Sequence, residues 1–431
     1  MKAWINPDGT EADLSNEISA KAQALHSAAA RGAHFLALPA EHTRDTATWI
    51  LASFRSPVTA VPLPPGLPLP ALEARLAQLP AGTVVFPGAL ALGRPADSLP
   101  PLRALEDLWA VIFTSGSSGE PKGIALTGRS FRESALAHSA HGAGDASWLL
   151  DLPLYHVGGL SVLTRALFLK SRVAIGSDRF DAAQTAAWIS GGLVQGLSLV
   201  PTTLYRLLEL RPDFSGLRLI LLGGAPAETS LLTHARAAGA PVHLTYGMTE
   251  NASQIATEKT PGSGLEPLPG VALSVSTEGE ILLRSPMLAS GQFIGGKLQP
   301  LPVREGFFPT GDLGSVLHGK LLVAGRKSEL MISGGMKVFP VEIEQALREL
   351  PGVEDCAAYS IPDPEWGEVV WAAVVEKNTG SFIHAEAKAA LRARLEPRKI
   401  PRHWKVVARI PRSGAGKILR AELPGLTPIR S

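Results

Sequence analysis

The sequence predicts an α/β protein with a large N-terminal domain built from α/β sheets and a smaller α+β domain at the C-terminus. Three observations support this. Strand-like and helix-like segments alternate from residue 108 to residue 239. Between residues 267 and 325, short strand patterns with glycine turns follow one another without a helix, which indicates a small β-rich subdomain. After residue 325, a new series of helix and strand patterns begins.

The alternating region contains strands and helices joined by short connections, as a mostly parallel sheet requires. Strands are expected at the apolar runs LWAVIF (108–113), SWLLDLPL (147–154), GLSLVP (196–201) and LRLILLGG (217–224). Helices are expected after a capping box formed by Ser130 and Glu133, at DAAQTAAWI (181–189), at TTLYRLLEL (202–210) and at AETSLLTHARAAG (227–239). The first hundred residues are less informative, and the proline-rich stretch 57–80 is interpreted as a connection that leads into a short helix.

The C-terminal region has the elements of an independent core. A helix is expected at PVEIEQALREL (340–350), because a proline is favoured in a first helical turn. Strands are expected at CAAYSI (356–361), EVVWAAVVE (368–376) and WKVVARI (404–410), and another helix at 385–395. The hinge is placed in GRKSEL (325–330), so the sequence predicts two domains, 1–326 and 327–431.

The composition is that of a globular protein and excludes several classes. The 431 residues include 45% hydrophobic and 19% charged residues, with a formal charge of +2, so nothing indicates nucleic acid as a partner. The single Cys356 has no partner for an internal disulfide and is interpreted as a buried, inert thiol. Neither a signal peptide nor a membrane-spanning apolar run is recognisable, so a cytoplasmic location is expected.

The segment TSGSSGEPKG (114–123) has the chemistry of a phosphate loop. Glycines allow the backbone to approach an anion, hydroxyls add donors and a lysine adds positive charge. It follows an expected strand and is expected to precede a helix. It differs from the Walker pattern because Pro121 precedes Lys122 and Gly123 follows it. A flexible surface loop is the alternative. The candidate ATP-binding residues are Thr114, Ser115, Gly116, Ser117, Ser118, Gly119 and Lys122.

This segment resembles the phosphate loop of the acyl-adenylate-forming superfamily, which includes acyl-CoA ligases, peptide-synthetase adenylation domains and beetle luciferases. Every position of the pattern [YF]-T-S-G-[ST]-[ST]-G-x-P-K-G matches. Further motifs of the superfamily follow in order, at YGMTE (246–250), TGDLG (310–314), GRKSELMISGGMKVFPVEIE (325–344) and PRSGAGKILR (411–420). The resemblance extends from residue 108 to the end of the chain. It implies an AMP-forming ligase that uses ATP and Mg²⁺ to join a carboxylic acid to CoA through an acyl-AMP intermediate.

The resemblance also implies roles for individual residues in the nucleotide site. Tyr246 stacks on adenine, Glu250 holds Mg²⁺, and Asp312 accepts hydrogen bonds from the ribose hydroxyls with Arg326 beside it. Read without the resemblance, Asp312 and Arg326 would be a plain ion pair. The remaining nucleotide-binding candidates are Gly223, Gly224, Ala225, Pro226, Gly247, Met248 and Thr249. Lys417 is the catalytic candidate that bridges the acyl carboxylate and the α-phosphate.

In this superfamily a mobile C-terminal domain rotates between the two half-reactions, which implies a hinge at Ser328. Rotation withdraws Lys417 and presents SGGMK (333–337) to the active site, where Gly334 and Gly335 line the channel for CoA. An ordinary turn is the alternative interpretation of these two glycines.

The acid is assigned by a closer resemblance within the superfamily. The stretches LPLYHVGGLSVL, SLVPTTLYRLLE and YGMTENASQIAT are most similar to the 2-succinylbenzoate–CoA ligase family of menaquinone biosynthesis. That substrate has two carboxylates, and His156, Ser161 and Arg206 are the candidates that contact it, with His156 also a catalytic candidate. Other aryl or short-chain acyl-CoA ligases, a carrier-protein-loading adenylation enzyme, a non-catalytic nucleotide-binding protein and a luciferase-like monooxygenase remain alternatives, and a homo-oligomer is left open.

Overall fold

The computed structural model describes residues 4–6, 10–41, 43–81, 84–92, 94–96, 98–115, 120–140, 142–176, 180–412 and 418–429, without the side chains of Ser115 and Arg398. The chain divides into two compact units. The first comprises Met1–Ser274, Leu282–Pro309 and Leu317–Leu321, and the second comprises Val275–Ile281, Thr310–Val316 and Leu322–Ser431. The boundary at 326/327 stays a prediction, and it lies close to residue 322, from which the second unit is continuous.

The described part of the chain contains both helices and strands, with the strands between residues 242 and 338 following one another without an α-helix. The helices are α1 (Ser15–Ala29), α2 (Arg44–Ser53), α3 (Leu69–Leu76), α4 (Gly128–Ser139), α5 (Val157–Leu169), α6 (Ala182–Ser190), α7 (Pro201–Glu209), α8 (Thr229–Ala237), α9 (Pro340–Arg348) and α10 (His384–Arg392). The strands are β1 (Trp4–Ile5), β2 (Glu11–Ala12), β3 (Phe35–Pro39), β4 (Thr59–Leu63), β5 (Val84–Val85), β6 (Leu108–Ser115), β7 (Pro121–Thr127), β8 (Trp148–Leu150), β9 (Val173–Ile175), β10 (Gly196–Leu199), β11 (Leu219–Leu222), β12 (Val242–Met248), β13 (Ser253–Glu258), β14 (Leu265–Pro267), β15 (Ala272–Val275), β16 (Glu280–Arg284), β17 (Gly291–Ile294), β18 (Lys297–Gln299), β19 (Phe308–Leu317), β20 (Lys320–Arg326), β21 (Met331–Ser333), β22 (Met336–Val338), β23 (Val353–Asp363), β24 (Gly367–Glu376) and β25 (His403–Val406).

The first unit contains a mostly parallel sheet in the order β14-β13-β12-β11-β10-β8-β9-β1-β2. The pairs from β12 to β1 are parallel, as the strand–helix alternation predicts. Helix α7 shows why its sequence packs here: Leu204, Leu207 and Leu208 share one face and are buried against the sheet. Each leucine buried in this way stabilises the fold by about 1.5–3 kcal/mol.

A second sheet of this unit has the order β18-β17-β7-β6-β4-β3-β5. The interpretation of the proline-rich stretch 57–80 as a connection is wrong in part, because this stretch contains β4, which pairs in parallel with β3. Proline is tolerated there because Pro62 still contributes its carbonyl and its fixed φ suits an extended strand. The β-rich stretch also contributes to this sheet, since β17 pairs with β7.

Two expectations about the segment after the phosphate loop are wrong. The loop does not lead into a helix, because β7 intervenes and pairs antiparallel with β6. The helix that follows is not capped by Ser130. Its N-cap is Thr127, whose Oγ1 accepts a hydrogen bond from the Ser130 N–H at 3.1 Å. By contrast, Asp181 caps α6 as expected, accepting from the N–H groups of Ala183 and Gln184.

The second unit has its own hydrophobic core, as predicted. Strands β23 and β24 form a long antiparallel hairpin, and β25 adds to β24 in parallel. Helices α9 and α10 cover one face, where Ile343, Leu347 and Leu391 are buried with Cys356. The Cys356 Sγ lies 3.4 Å from the Glu344 carbonyl oxygen, consistent with a structural thiol.

None of the helices in the described part of the chain is long and apolar enough to cross a bilayer.

Candidate functional site

The first group of predicted residues lies at the carboxyl end of β11. Gly223 follows this strand, and its N–H donates to the Leu199 carbonyl at 3.1 Å. A Cβ at position 223 would lie 2.8 Å from the Thr245 Cγ2, so only glycine allows this approach to β12. Gly224 has a φ of +80°, and Ala225 and Pro226 are exposed. An open, tightly turned chain at the carboxyl ends of parallel strands is where α/β proteins bind ligands.

The motif YGMTE lies at the end of β12, next to that turn. The pairing of β12 with β13 shifts register between Tyr246 and Gly247. A Cβ on Gly247 would lie 2.7 Å from the Ser253 carbonyl carbon and still closer to its oxygen. Tyr246 is half-buried, and Glu250 lies in the short 3₁₀ helix Thr249–Asn251. The local fold therefore brings Tyr246 and Glu250 to the same strand end.

Glu250 is the candidate ligand for Mg²⁺ beside the nucleotide-binding candidates. In these parts of the chain no three His, Cys, Asp or Glu side chains are grouped to hold a metal ion. Mg²⁺ is commonly held by one or two carboxylates together with substrate phosphates. Glu250, a single half-buried carboxylate beside the nucleotide-binding candidates, fits that requirement.

The phosphate loop is a connection between antiparallel strands. Thr114 pairs with Lys122 across β6 and β7, and Ser115 pairs with Pro121. The predicted residues Gly116, Ser117, Ser118 and Gly119 lie outside the described residues. Gly123 packs closely, since a Cβ there would lie 2.9 Å from the Val111 Cγ1. Thr114 and Lys122 therefore flank the loop on adjacent strands, and both side chains are half-buried.

His156 and Ser161 lie at the start of α5. The ring of His156 is half-buried, with its centroid 4.5 Å from that of Tyr155. Burial lowers the pKa of His156 below its usual 6.5, so its imidazole is neutral at pH 7. Ser161 is buried and donates its hydroxyl hydrogen to the Gly158 carbonyl at 2.7 Å. Its lone pairs are what it can still offer a ligand.

Arg206 is placed differently from these residues. It lies on the exposed face of α7, next to Tyr205, which is 58% exposed. The leucines of α7 occupy the face that packs on the sheet, so Arg206 points away from that core. Its contact with the acid stays a prediction.

The sequence reasoning missed Arg165, a cation buried inside the first unit. Arg165 is 3% exposed, on α5, one turn beyond Ser161. Its Nε donates to the Ser161 carbonyl at 3.1 Å, and its Nη2 donates to the Ser198 Oγ at 3.1 Å. Its guanidinium carbon lies 4.0 Å from the centroid of the Trp148 ring. The signal in the sequence was a single charge within the apolar helix VGGLSVLTRALFL.

Arg165 has no acidic partner among the described residues, and burial lowers its pKa to about 9, so it is charged at pH 7. Its Nη1 lies 3.5 Å from His138 Nε2, which must accept because guanidinium only donates. His138 Nδ1 therefore carries the proton and donates to the Gln254 Oε1 at 3.1 Å. Gln254 Nε2 in turn donates to Thr245 and Thr257. This buried network connects Arg165 to the strand that carries Tyr246.

Within the second unit, Asp312 and Arg326 form an ion pair. Arg326 Nε lies 2.8 Å from Asp312 Oδ1, with the Asp312 side chain buried and the Arg326 side chain 45% exposed. The Asp312 N–H donates to the Thr310 Oγ1 at 3.1 Å, which fixes the turn. Gly311 adopts a φ of +74° beside it. This pairing agrees with the interpretation of Asp312 and Arg326 as a plain ion pair, and ribose recognition by Asp312 stays a prediction.

The glycines assigned to the CoA channel form a tight hairpin. Gly334 and Gly335 connect β21 to β22 and have φ values of +55° and +77°, as a type I′ turn requires. A Cβ on Gly334 would lie 2.7 Å from the Trp366 ring, whereas Gly335 faces open space. Ser328 is exposed in the 3₁₀ turn Lys327–Glu329. Lys417 lies outside the described residues.

Comparison with known proteins agrees with this arrangement. Residues 91–292 match the model of the AMP-binding enzyme family, and residues 342–417 match the AMP-binding enzyme C-terminal domain. A 2-succinylbenzoate–CoA ligase of Geobacillus kaustophilus is 34% identical over 80% of this chain and 75% of its own length. A 2-succinylbenzoate–CoA ligase of Listeria monocytogenes is 33% identical over 73% of this chain and 69% of its own length.

The fold is also that of solved structures of such enzymes. The o-succinylbenzoate CoA synthetase of Bacillus subtilis, in complex with its acyl-adenylate intermediate, superposes with a TM-score of 0.87 at 26% identity, covering 98% of this chain and 94% of that one. The same enzyme with ATP and magnesium gives a TM-score of 0.86 at 26% identity, covering 98% and 96%. The family matches, the relatives and the geometry of the strand ends lead to one conclusion: this chain is a member of the AMP-binding enzyme family.

Proposed function

We propose that this protein is an ATP-dependent 2-succinylbenzoate–CoA ligase that acts in menaquinone biosynthesis, in the cytoplasm where ATP and CoA are available. The 33–34% identity with curated 2-succinylbenzoate–CoA ligases supports the reaction and the acid. The structural observation that carries the choice of a dicarboxylic acid is the buried guanidinium of Arg165, which has no acidic partner in the part of the chain that the structure describes.

The reaction has two displacement steps. A carboxylate oxygen of the acid attacks the α-phosphorus of ATP, and pyrophosphate leaves to give acyl-AMP. The sulfur of CoA then attacks the acyl carbon, and AMP leaves. Mg²⁺, when bound at Glu250, offsets the negative charge of the phosphates.

The residues of the first unit bind and orient the nucleotide and the acid. Thr114 and Lys122 hold phosphate oxygens from the two strands that flank the loop. Tyr246 stacks on the adenine that enters beside Gly223. His156 is neutral and contacts the reacting carboxylate as a hydrogen-bonding partner, since its lowered pKa disfavours the charged ring.

Arg165 binds the carboxylate that is not activated. A buried cation without a counter-ion is costly, and a ligand carboxylate offsets that cost. Guanidinium can hold a carboxylate through two parallel hydrogen bonds, which fixes orientation as well as charge. The buried contacts of Arg165 with Ser161, Ser198 and Trp148 hold the group ready for this role.

The residues of the second unit act on the nucleotide and on the later step. Asp312 accepts hydrogen bonds from the ribose hydroxyls, exchanging part of its pairing with Arg326 for them. Lys417 stabilises the charge that develops as pyrophosphate leaves. Gly334 and Gly335 leave room for the pantetheine arm of CoA. Ser328 is the hinge about which the C-terminal domain rotates between the two steps.

The test is pyrophosphate release across a panel of carboxylic acids with CoA present. We expect turnover with 2-succinylbenzoate and weak turnover with 4-oxo-4-phenylbutanoate, which lacks the ring carboxylate. Arg165→Gln is expected to raise KM for 2-succinylbenzoate by more than about 100-fold, since losing one partner of a buried pair costs about 3–5 kcal/mol. It should leave KM for the monoacid nearly unchanged. Preference for another acid would replace the substrate assignment, and acyl-AMP formation without a CoA thioester would indicate a carrier-loading enzyme.

A further inference from the structure

The C-terminal motif PRSGAGKILR contains two arginines that the proposed reaction does not use, Arg412 and Arg420. They lie on either side of residues 413–417. Arg412 and Ile418 form an antiparallel bridge, and the Leu419 N–H donates to the Pro411 carbonyl at 2.9 Å. The two ends of this short segment are therefore joined at its base.

Both arginines are tied to β23 and its surroundings by ion pairs. Arg412 Nη2 lies 2.8 Å from each carboxylate oxygen of Asp355. Arg420 forms two hydrogen bonds with Glu344, one of them from Nη2 at 3.3 Å, and its Nη1 also donates to the Ala358 carbonyl at 2.8 Å. These contacts anchor the base of the segment to the core of the second unit.

Glu344 is a buried acid with a specific set of partners. It is 3% exposed, on α9, and its Oε1 also accepts from the Ala358 N–H at 2.9 Å. A buried carboxylate needs its partner, because removing one member of such a pair leaves an uncompensated charge. The pair between Arg420 and Glu344 therefore holds the chain after Ile418 in one place.

Arg420 also contacts the region of the predicted hinge. Its Nε lies 3.4 Å from Glu329 Oε2, and Glu329 is the residue after Ser328. One guanidinium thus joins α9, β23 and the hinge turn to the chain three residues beyond Lys417.

We propose that Arg420 and Glu344 are positioning residues for Lys417 that act in acyl-AMP formation and not in thioester formation. This rests on the proposed two-step function. Lys417 is the residue before Ile418 in the sequence, so the anchoring of residues 418–420 by Arg420 bears directly on its neighbour in the chain. That ammonium must meet charge that develops only as pyrophosphate leaves, and a shift of about 1 Å can cost about 100-fold in rate. The second step uses other groups of the unit.

The experiment measures the two half-reactions separately in the full-length protein. The first is pyrophosphate release with ATP and 2-succinylbenzoate. The second is thioester formation from synthetic 2-succinylbenzoyl-AMP and CoA. Arg420→Gln and Glu344→Gln are expected to slow the first by about 100-fold and to change the second by less than about threefold. Equal loss in both half-reactions would overturn the proposal, because a general structural defect has no reason to choose between them.

Two further variants keep the test decisive. Glu349→Gln makes the same change at the end of the same helix, breaking an exposed ion pair with Arg394 at 2.6 Å, and should leave both half-reactions unchanged. Glu329→Gln weakens only the contact between Arg420 and Glu329 and keeps the buried pair of Arg420 with Glu344. It therefore tests the anchoring by Arg420 if Arg420→Gln fails to fold. An unimpaired first step in Glu329→Gln and Glu344→Gln would refute the positioning role. Absence of both half-reactions in the unchanged protein would instead refute the proposed function.

Discussion

The substitution Gly247→Ala tests whether the register shift in β12 sets the nucleotide site. Gly247 lies between Tyr246 and Met248, where the pairing with β13 changes register. The chain opposite is already constrained, because Ala252 and Ser253 have φ values of +50° and +113°. Non-glycine residues rarely adopt such values, so this part of β13 has little freedom to adjust.

The magnitude follows from the distances. A Cβ at position 247 would lie 2.7 Å from the Ser253 carbonyl carbon and 3.0 Å from the Gln254 Cα. Carbon atoms prefer separations of about 3.5–4.0 Å, so the strands must part by roughly 1 Å. Overpacking of this kind costs about 1–3 kcal/mol in the free energy of unfolding. The same shift moves Tyr246 and Glu250, and a misplacement of about 1 Å can lower the rate about 100-fold.

The assay is pyrophosphate release with saturating acid, together with urea unfolding of the same preparation. We expect a large loss of acyl-AMP formation and a raised KM for ATP. The matched control is Gly88→Ala, at a glycine with no atom within 4 Å of the added Cβ and no left-handed φ. A Gly247→Ala protein with unchanged rate and unchanged unfolding free energy would refute the reasoning.

Three other changes have defined outcomes. Asp151→Asn should remove a pH dependence of stability, because burial raises the pKa of Asp151 from 3.8 to about 7. The unchanged protein therefore loses stability as the pH rises from about 4 to 7. At pH 8 the variant should be more stable than the unchanged protein by at least about 1.4 kcal/mol in thermal or urea unfolding. A variant whose unfolding free energy falls with rising pH as steeply as that of the unchanged protein would contradict this. Lys417→Ala should lower acyl-AMP formation by at least about 100-fold while thioester formation from synthetic acyl-AMP is spared; equal losses would contradict its assignment to the first step. Gly335→Asn keeps a residue that tolerates positive φ but adds a side chain, so it should slow the CoA step alone, and an unaffected CoA step would remove Gly335 from the channel.

The sequence was sufficient wherever the signal is local. The alternation of strands and helices from residue 108 onward, the cap at Asp181 and the separate core of the C-terminal unit all follow from short-range periodicity and capping chemistry. The five motifs were enough to identify the family for the same reason, because each is a contiguous string whose residue types serve one task. Local patterns did not exclude a helix directly after the phosphate loop, since apolar residues in PKGIALT fit more than one element.

Tertiary structure decided what depends on residues distant in the chain. The pairing of residues 121–127 with β6 and β17 makes that segment a strand, and no local pattern contains those partners. Arg165 is buried because α5 packs beside Trp148 and Ser198, whereas Arg206 is exposed because the leucines of its helix occupy the inner face. Arg420 meets Glu344 across 76 positions of sequence. Side-chain environments of this kind arise from packing between elements, so the sequence determined the chemistry available while the fold determined which charges were buried and paired.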